Sequence, residues 1–248
     1  MGLFLYLYLK FIIMQKAVYL IPITLGDTDV FDVIPQNVKE IVLEIDIFIV
    51  ENIRTTRRYL KKIDRTINID KLTFFEINKR TKYRDLQAFF QANKKTSIGV
   101  VSEAGCPGIA DPGADVVKLA HENKMKVVPL VGPSSILMAL ISSGMNGQNF
   151  AFNGYIPINK SDRIAKLKQL EARSLSERQT QIFIETPFRN KHLLSDILNT
   201  CNKNTMLCIA SNITMPDEFI KTKSVADWIK NTPDLGKKPT VFLIHRYR

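Results

Sequence analysis

The sequence predicts an α/β protein in two halves, with a mainly parallel sheet in the N-terminal half and a mixed sheet in the C-terminal half. Three observations lead there. Short apolar runs alternate with helix-patterned segments from Ala17 to His245, the order of β-α-β units. Glycine and proline gather in loops that directly follow the apolar runs. A turn-rich stretch, GMNGQN at residues 144–149, interrupts the chain near its middle and marks a domain junction.

Residues 17–22 (AVYLIP) read as a buried strand closed by Pro22, and 36–43 have helical character. Residues 46–50 (DIFIV) form a second apolar strand ended by Glu51 and Asn52, and 53–63 return to helix. Residues 72–77 are extended, 82–93 helical, and 98–101 a third strand. A helix over 114–123, a strand over 126–130 and a helix over 134–143 complete the first half. Beyond the junction, strands at 150–155, 181–185, 206–210 and 241–245 alternate with helices near 162–172, 190–201 and 225–231. The expected domains are 14–146 and 147–248. Residues 1–13 (MGLFLYLYLKFII) read as an extension ahead of a start at Met14 rather than a membrane-surface anchor. That stretch is broken by Lys10, too short to span a bilayer, and poor as a signal peptide.

Thirty-five Lys and Arg against 24 Asp and Glu leave a net charge of +11, which favours an anionic partner without choosing one. Three cysteines without CxxC spacing, and three scattered histidines, argue against a disulfide framework or a zinc site and fit a reducing, cytoplasmic compartment. No metal and no stable membrane insertion are expected.

The chemistry concentrates at VVSEAGCPGIADPG, residues 100–113. A strand runs into a loop of glycines and prolines, then a helix. Glycine lets backbone approach a ligand, and open α/β sheets bind ligands where strands deliver their carboxyl ends. The alternative is a tight connection with no ligand. A second loop, VPLVGPSS, brings Ser134 and Ser135 to a helix start, where they can hold a polar ligand or simply cap the helix. GxGxxG and the Walker phosphate loop are absent from the sequence, which takes support from the common dinucleotide and nucleoside-triphosphate readings, and there is no GxSxG elbow and no HExxH.

In order, these two loops resemble the tetrapyrrole methylase superfamily, and most closely its small-subunit rRNA (cytidine-2′-O)-methyltransferase branch. That branch carries a loop like S-D-A-G-T-P-x-I-x-D-P-G followed by V-V-P-L-P-G. Phe152–Pro157 (FNGYIP), Ile184–Arg189 (IETPFR) and Glu51–Arg54 (ENIR) resemble further motifs of the branch, in the right order. The resemblance implies a two-domain tetrapyrrole methylase-like fold, S-adenosylmethionine held between the domains, a homodimer, and ribosomal RNA or the small ribosomal subunit as partner. It implies cofactor contacts from Ala104, Gly105, Cys106, Pro107, Ser134 and Ser135, and from Glu185, Ala210, Ser211, Asn212, Pro239, Thr240 and Val241.

The chain also departs from the branch. Its first loop reads Ile21-Pro22-Ile23-Thr24-Leu25-Gly26 where T-P-I-G-N-L is usual. Only Asn78 is kept of a His- and Asn-rich motif, the A-R-E-L-T-K charges are lost at 210–215, and Cys106 stands where Thr is usual.

Arg54, Arg57, Arg58, Lys61, Lys62 and Arg65 recur at helical spacing and would line one face, with Lys79 and Arg80 close behind. Such a face can bind RNA phosphates or serve only as a solvated surface. Methyl transfer is an in-line displacement that depends on positioning, and a ribose hydroxyl needs a proton acceptor. Glu103 and Glu185 are the candidates; each could instead be a strand-end carboxylate capping a helix. Two alternatives stand beside rRNA methylation: a tetrapyrrole or other small-molecule substrate, and a non-catalytic RNA-binding paralogue.

Overall fold

The computed structural model describes residues 16–78 and 80–247. The 1–13 extension and Lys79 lie outside the described residues. The chain divides into two compact units, the first reaching Pro133 and the second running from Ser134. The turn at 144–149 falls inside the second.

In the first unit, β1 (Ala17–Ile21), β2 (Ile47–Val50), β3 (Thr73–Glu76), β4 (Ile98–Val101) and β5 (Lys126–Pro129) form one sheet in the order β3-β2-β4-β1-β5. Every pairing is parallel. The helices between them are α1 (Asn37–Leu43), α2 (Ile53–Ile63), α3 (Tyr83–Asn93) and α4 (Gly113–Glu122). Side chains alternate across a strand, so each strand feeds two cores. Tyr19, Ile21, Phe48, Val50 and Val101 pack with Val38, Ile41, Tyr59, Leu60 and Ile63 of α1 and α2. Val18, Ile49, Ile98 and Val100 pack with Leu86, Phe90, Val116 and Leu119 of α3 and α4. Strands buried on both faces read as continuous apolar runs, which is why they were legible.

The second unit holds a mixed sheet of β6 (Phe150–Tyr155), β7 (Thr180–Glu185), β8 (Met206–Ser211), β9 (Phe219–Ser224) and β10 (Thr240–His245), in the order β6-β7-β10-β8-β9. Only β6 and β7 pair in parallel. Helix α5 (Ser135–Ser143) packs against β8, β9 and β10. On the helix-rich face, Phe183, Leu207, Ile209, Phe242 and Ile244 meet side chains of α6 (Lys160–Glu177), α7 (Asn190–Thr200) and α8 (Val225–Lys230). Trp228 is fully buried there and donates its indole N–H to the Leu207 carbonyl at 2.9 Å. Arg163 of α6 and Asp196 of α7 form a buried ion pair, and the same guanidinium donates to the Ile158 carbonyl at 2.6 Å.

Three local features differ from the sequence reading. Strand β9 was not expected: Lys221 and Lys223 alternate with Ile220 and Thr222 at a sheet edge, a weak apolar signal. Helix α6 runs past the expected 162–172, because its polar residues still satisfy a helix with one buried stripe. Helix α2 stops at Ile63 with Asp64 extended, so Arg65 lies beyond the helix instead of on its face.

Candidate functional site

With five parallel strands, every carboxyl end of the first sheet opens on the same edge, and the loops there gather the unit's chemistry. The loop after β4 is pinned from three sides. Gly105 and Ile23, in the loop after β1, exchange both backbone hydrogen bonds, at 2.9 and 3.1 Å. Gly105 has φ +71°, and a Cβ there would sit 3.2 Å from both Leu25 Cδ2 and the Pro133 carbonyl oxygen. The Cys106 thiol points to the Pro133 and Gly132 carbonyls at 3.4 and 3.6 Å. Burial pushes that thiol's pKa up, which keeps it a donor. A Cβ on Gly132 would come within 2.2 Å of Pro22 Cβ, so the loops after β1 and β5 touch through a glycine that admits no substituent. Asp111 closes the far half of the loop, accepting from the N–H groups of Gly108, Ile109 and Gly113.

Glu103 and Ala104 are exposed at this edge, Gly105 and Pro107 are buried, and Cys106 is half-buried. The Glu103 backbone N–H donates to Glu51 Oε2, at the end of β2, at 3.1 Å. Burial holds the Glu51 carboxyl above its ordinary range; the Glu103 N–H opposes this, and the charges of Glu103 and Asp111 add to it. Helix α2 begins just after. Asn52 caps it through Thr55 N–H at 3.0 Å, and Glu76, at the end of β3, accepts from Ile53 N–H at 3.1 Å. Asn78 in turn donates to Glu76 at 3.2 Å. Midway along α2, the buried Tyr59 hydroxyl donates to the Pro22 carbonyl at 2.6 Å.

Arg54, Arg57, Arg58, Lys61 and Lys62 are all exposed on α2, with Arg65 exposed just past its end and Arg80 exposed after β3. Arg57 lies over the Phe74 ring at 5.5 Å, and Lys62 pairs with Asp27 of the loop after β1.

In the second unit, Glu185, Thr240 and Ser211 stand opposite one another across β7, β10 and β8. Ala210 faces Val241 in the next register position, and Asn212 N–H donates to the Pro239 carbonyl at 2.9 Å. The Ser211 and Thr240 hydroxyls lie 2.9 Å apart. Asn190, at the start of α7, donates to Thr240 Oγ1 at 3.2 Å and to the Lys238 carbonyl at 2.7 Å. Glu185 is buried, with Oε1 accepting from Arg189 at 2.5 Å and from Thr186 N–H at 2.6 Å. Its Oε2 and Asn190 Oδ1 are buried acceptors with no donor among the described residues. Ser134 precedes α5 in an extended conformation and makes no side-chain cap bond; Ser135 opens the helix, and both are half-buried.

The structure thus gathers Gly105, Cys106 and Pro107 with the loop ending at Pro133. Separately, it gathers the strand-end residues of the second unit. The sequence reading named Glu51 only within the ENIR resemblance and missed Tyr59 and Asn190 as contributors. Glu51 carried a signal, a carboxylate closing an apolar strand; Tyr59 and Asn190 read only as helix residues. Among the described residues, no group of three or more His, Cys, Asp or Glu is placed to hold a metal ion, and no helix is long and apolar enough to cross a membrane.

No family model matches the chain. In sequence it is similar to a Ribosomal RNA small subunit methyltransferase I of Vibrio cholerae serotype O1, with 30% identity over 233 residues, covering 93% of this chain and 77% of that one. Among solved structures, the methyltransferase CobJ matches with a TM-score of 0.61 and 17% identity, covering 94% of this chain and 95% of that one. A uroporphyrin-III C-methyl transferase from Thermus thermophilus, complexed with S-adenosyl homocysteine, matches with a TM-score of 0.52 and 13% identity over 93% of this chain and 98% of that one. The two structural likenesses speak for the fold.

Proposed function

Because the chain belongs to the Ribosomal RNA small subunit methyltransferase I family, we propose that it transfers a methyl group from S-adenosylmethionine to a ribose 2′-hydroxyl of small-subunit ribosomal RNA. The observation that carries the reading is the Ile23–Gly105 backbone pairing, which holds the loop 104–107 open-edged at the carboxyl end of the parallel sheet.

The residues present fit the cofactor. At Gly108, φ +91°, nothing lies within 4 Å of where a Cβ would be, so backbone there is open to a ligand. In the second unit, Glu185 Oε2 and Asn190 Oδ1 are acceptors waiting for a donor, a match for an amino group such as adenine carries. Ala104, Gly105, Cys106 and Pro107 are assigned to the cofactor, as are Ser134, Ser135, Glu185, Ala210, Ser211, Asn212, Pro239, Thr240 and Val241. Most of these act through backbone groups.

S-adenosylmethionine supplies an electrophilic methyl carbon on a positively charged sulfur. The chain's task is to position the acceptor and take its proton. Glu103 is assigned the proton, since its side chain is exposed at the loop edge. Glu185 Oε1 already accepts from Arg189 and Thr186, which suits the cofactor side better. Arg54, Arg57, Arg58, Lys61, Lys62, Arg65, Lys79 and Arg80 are assigned to RNA phosphates. A homodimer and a cytoplasmic location belong to the same reading and rest on the family resemblance.

Calorimetric titration with S-adenosylmethionine and S-adenosylhomocysteine, followed by methyl transfer to undermethylated small ribosomal subunits, tests the proposal. Micromolar binding with label in the RNA supports it. Binding with label only in a tetrapyrrole moves the substrate to the small-molecule alternative. No binding by folded protein leaves a non-catalytic RNA-binding protein.

A further inference from the structure

Helix α2 carries two unlike faces. Its outer face holds five exposed cations, Arg54, Arg57, Arg58, Lys61 and Lys62. Its inner face is tied to the cofactor loop through the loop after β1. Tyr59 donates to the Pro22 carbonyl at 2.6 Å, and the next residue, Ile23, exchanges both backbone hydrogen bonds with Gly105. Just ahead of the helix, Glu51 holds the Glu103 N–H at 3.1 Å. Ala104 and Gly105 therefore lie beside two anchors that both lead to α2. Pro22 also abuts Gly132, so its placement bears on the loop after β5 as well.

Of the outer cations, Lys62 is paired with Asp27. Arg54 and Arg58, and Arg57 and Lys61, are like-charge neighbours one turn apart, an arrangement that weakens a helix. Phosphates laid along this face would neutralise the repulsion and firm the helix that presents Tyr59. A ligand shifts an equilibrium by its preference for one state, and phosphates on this face would prefer the wound α2 that the structure shows over any frayed form of it.

We infer that α2 couples the two substrates: RNA on its basic face tightens cofactor binding at the loop 104–107, with Tyr59 as the positioning residue that transmits the effect. The inference rests on the reading above that the loop holds the cofactor and the helix holds RNA. Coupling of this kind is reciprocal, so the cofactor product tightens RNA binding by the same factor.

The test titrates S-adenosylhomocysteine into the purified protein, alone and saturated with a short single-stranded oligoribonucleotide. The expected result is about five-fold tighter binding with RNA, the lower end of ordinary allosteric coupling. In Tyr59→Phe, which keeps the ring and removes the hydroxyl, the gain is expected to disappear. Amide hydrogen exchange in the cofactor-free wild type gives an independent readout: Ile23 and Gly105 should slow when RNA is added. Equal affinity with and without RNA, or unchanged exchange at Ile23 and Gly105, overturns the inference while leaving the functional reading intact. A full gain retained in Tyr59→Phe overturns the role of Tyr59. Failure of S-adenosylhomocysteine to bind the wild type marks a failure of the functional reading, and the coupling falls with it; failure of the oligoribonucleotide to bind overturns the coupling alone, because it leaves α2 with no RNA effect to transmit.

Discussion

The Glu51 carboxylate accepts the backbone N–H of Glu103, 52 residues further along the chain, and so ties the end of β2 to the loop after β4. Burial raises the Glu51 carboxyl above the ~4.3 of an unfolded glutamate. Between those two values the folded protein keeps a proton that the unfolded chain has released. The contribution of Glu51 to stability is therefore fully present below the unfolded value and lost as pH rises through the folded one. Glu51→Gln keeps an oxygen acceptor for Glu103 and removes the charge. The variant should be more stable than wild type at neutral pH, with the gap closing below about pH 4. Denaturant unfolding across that range checks it; a gap that does not change with pH would remove Glu51 as the cause.

Gly105 occupies left-handed backbone beside Leu25 and Pro133. Gly105→Ala should cost about 1–2 kcal/mol from the conformation alone. The Ile23 pairing should loosen as well. S-adenosylhomocysteine binding is expected to weaken more than the thermal midpoint falls, as measured by calorimetry and thermal unfolding on one preparation. Unchanged binding in a destabilised variant would separate this loop from the cofactor.

With RNA on them, the α2 cations should give a salt signature. Each contact with a single-stranded phosphate contributes about 0.7 to the slope of log affinity against log salt. Replacing Arg54, Arg57 and Arg58 together with Gln should lower that slope by roughly 2 and weaken binding about equally across RNA sequences. Fluorescence anisotropy at several salt concentrations measures both. An unaltered slope would leave the stripe as a solvated surface.

Arg163 and Asp196 are both buried, and their ion pair joins α6 to α7. Asp196→Ala strands a buried guanidinium and should destabilise the fold by about 3–5 kcal/mol. Replacing the whole pair with apolar residues of similar volume should cost far less, because no charge is left unpaired. Urea unfolding of the single and double variants distinguishes the two cases.

The parallel sheet was legible because strands such as Ile47–Val50 and Ile98–Val101 are apolar throughout, as burial on both faces requires. The loop after β4 was legible from its glycines and prolines, whose backbone demands leave a mark in sequence. Phe219–Ser224 was not, since an edge strand bearing lysines alternates too weakly to stand out. Nor could Tyr59 be recognised: its hydroxyl matters only because the fold brings Pro22 to it, 37 residues away along the chain. Local pattern reports which face of an element is buried. It does not report what a polar group on that face will meet.

Strand β1 lies between β4 and β5, with Val18 opposite both Ile98 and Val127. During synthesis, at roughly 5–20 residues per second, it spends several seconds or more without either neighbour. A five-residue apolar strand made before either neighbour has both edges unpaired until they arrive. The Ile23–Gly105 pairing joins the loops after β1 and β4, so it can close only once β4 has been made. The pairing at this edge therefore forms only after the chain has reached Gly105, late in the synthesis of a unit that ends at Pro133.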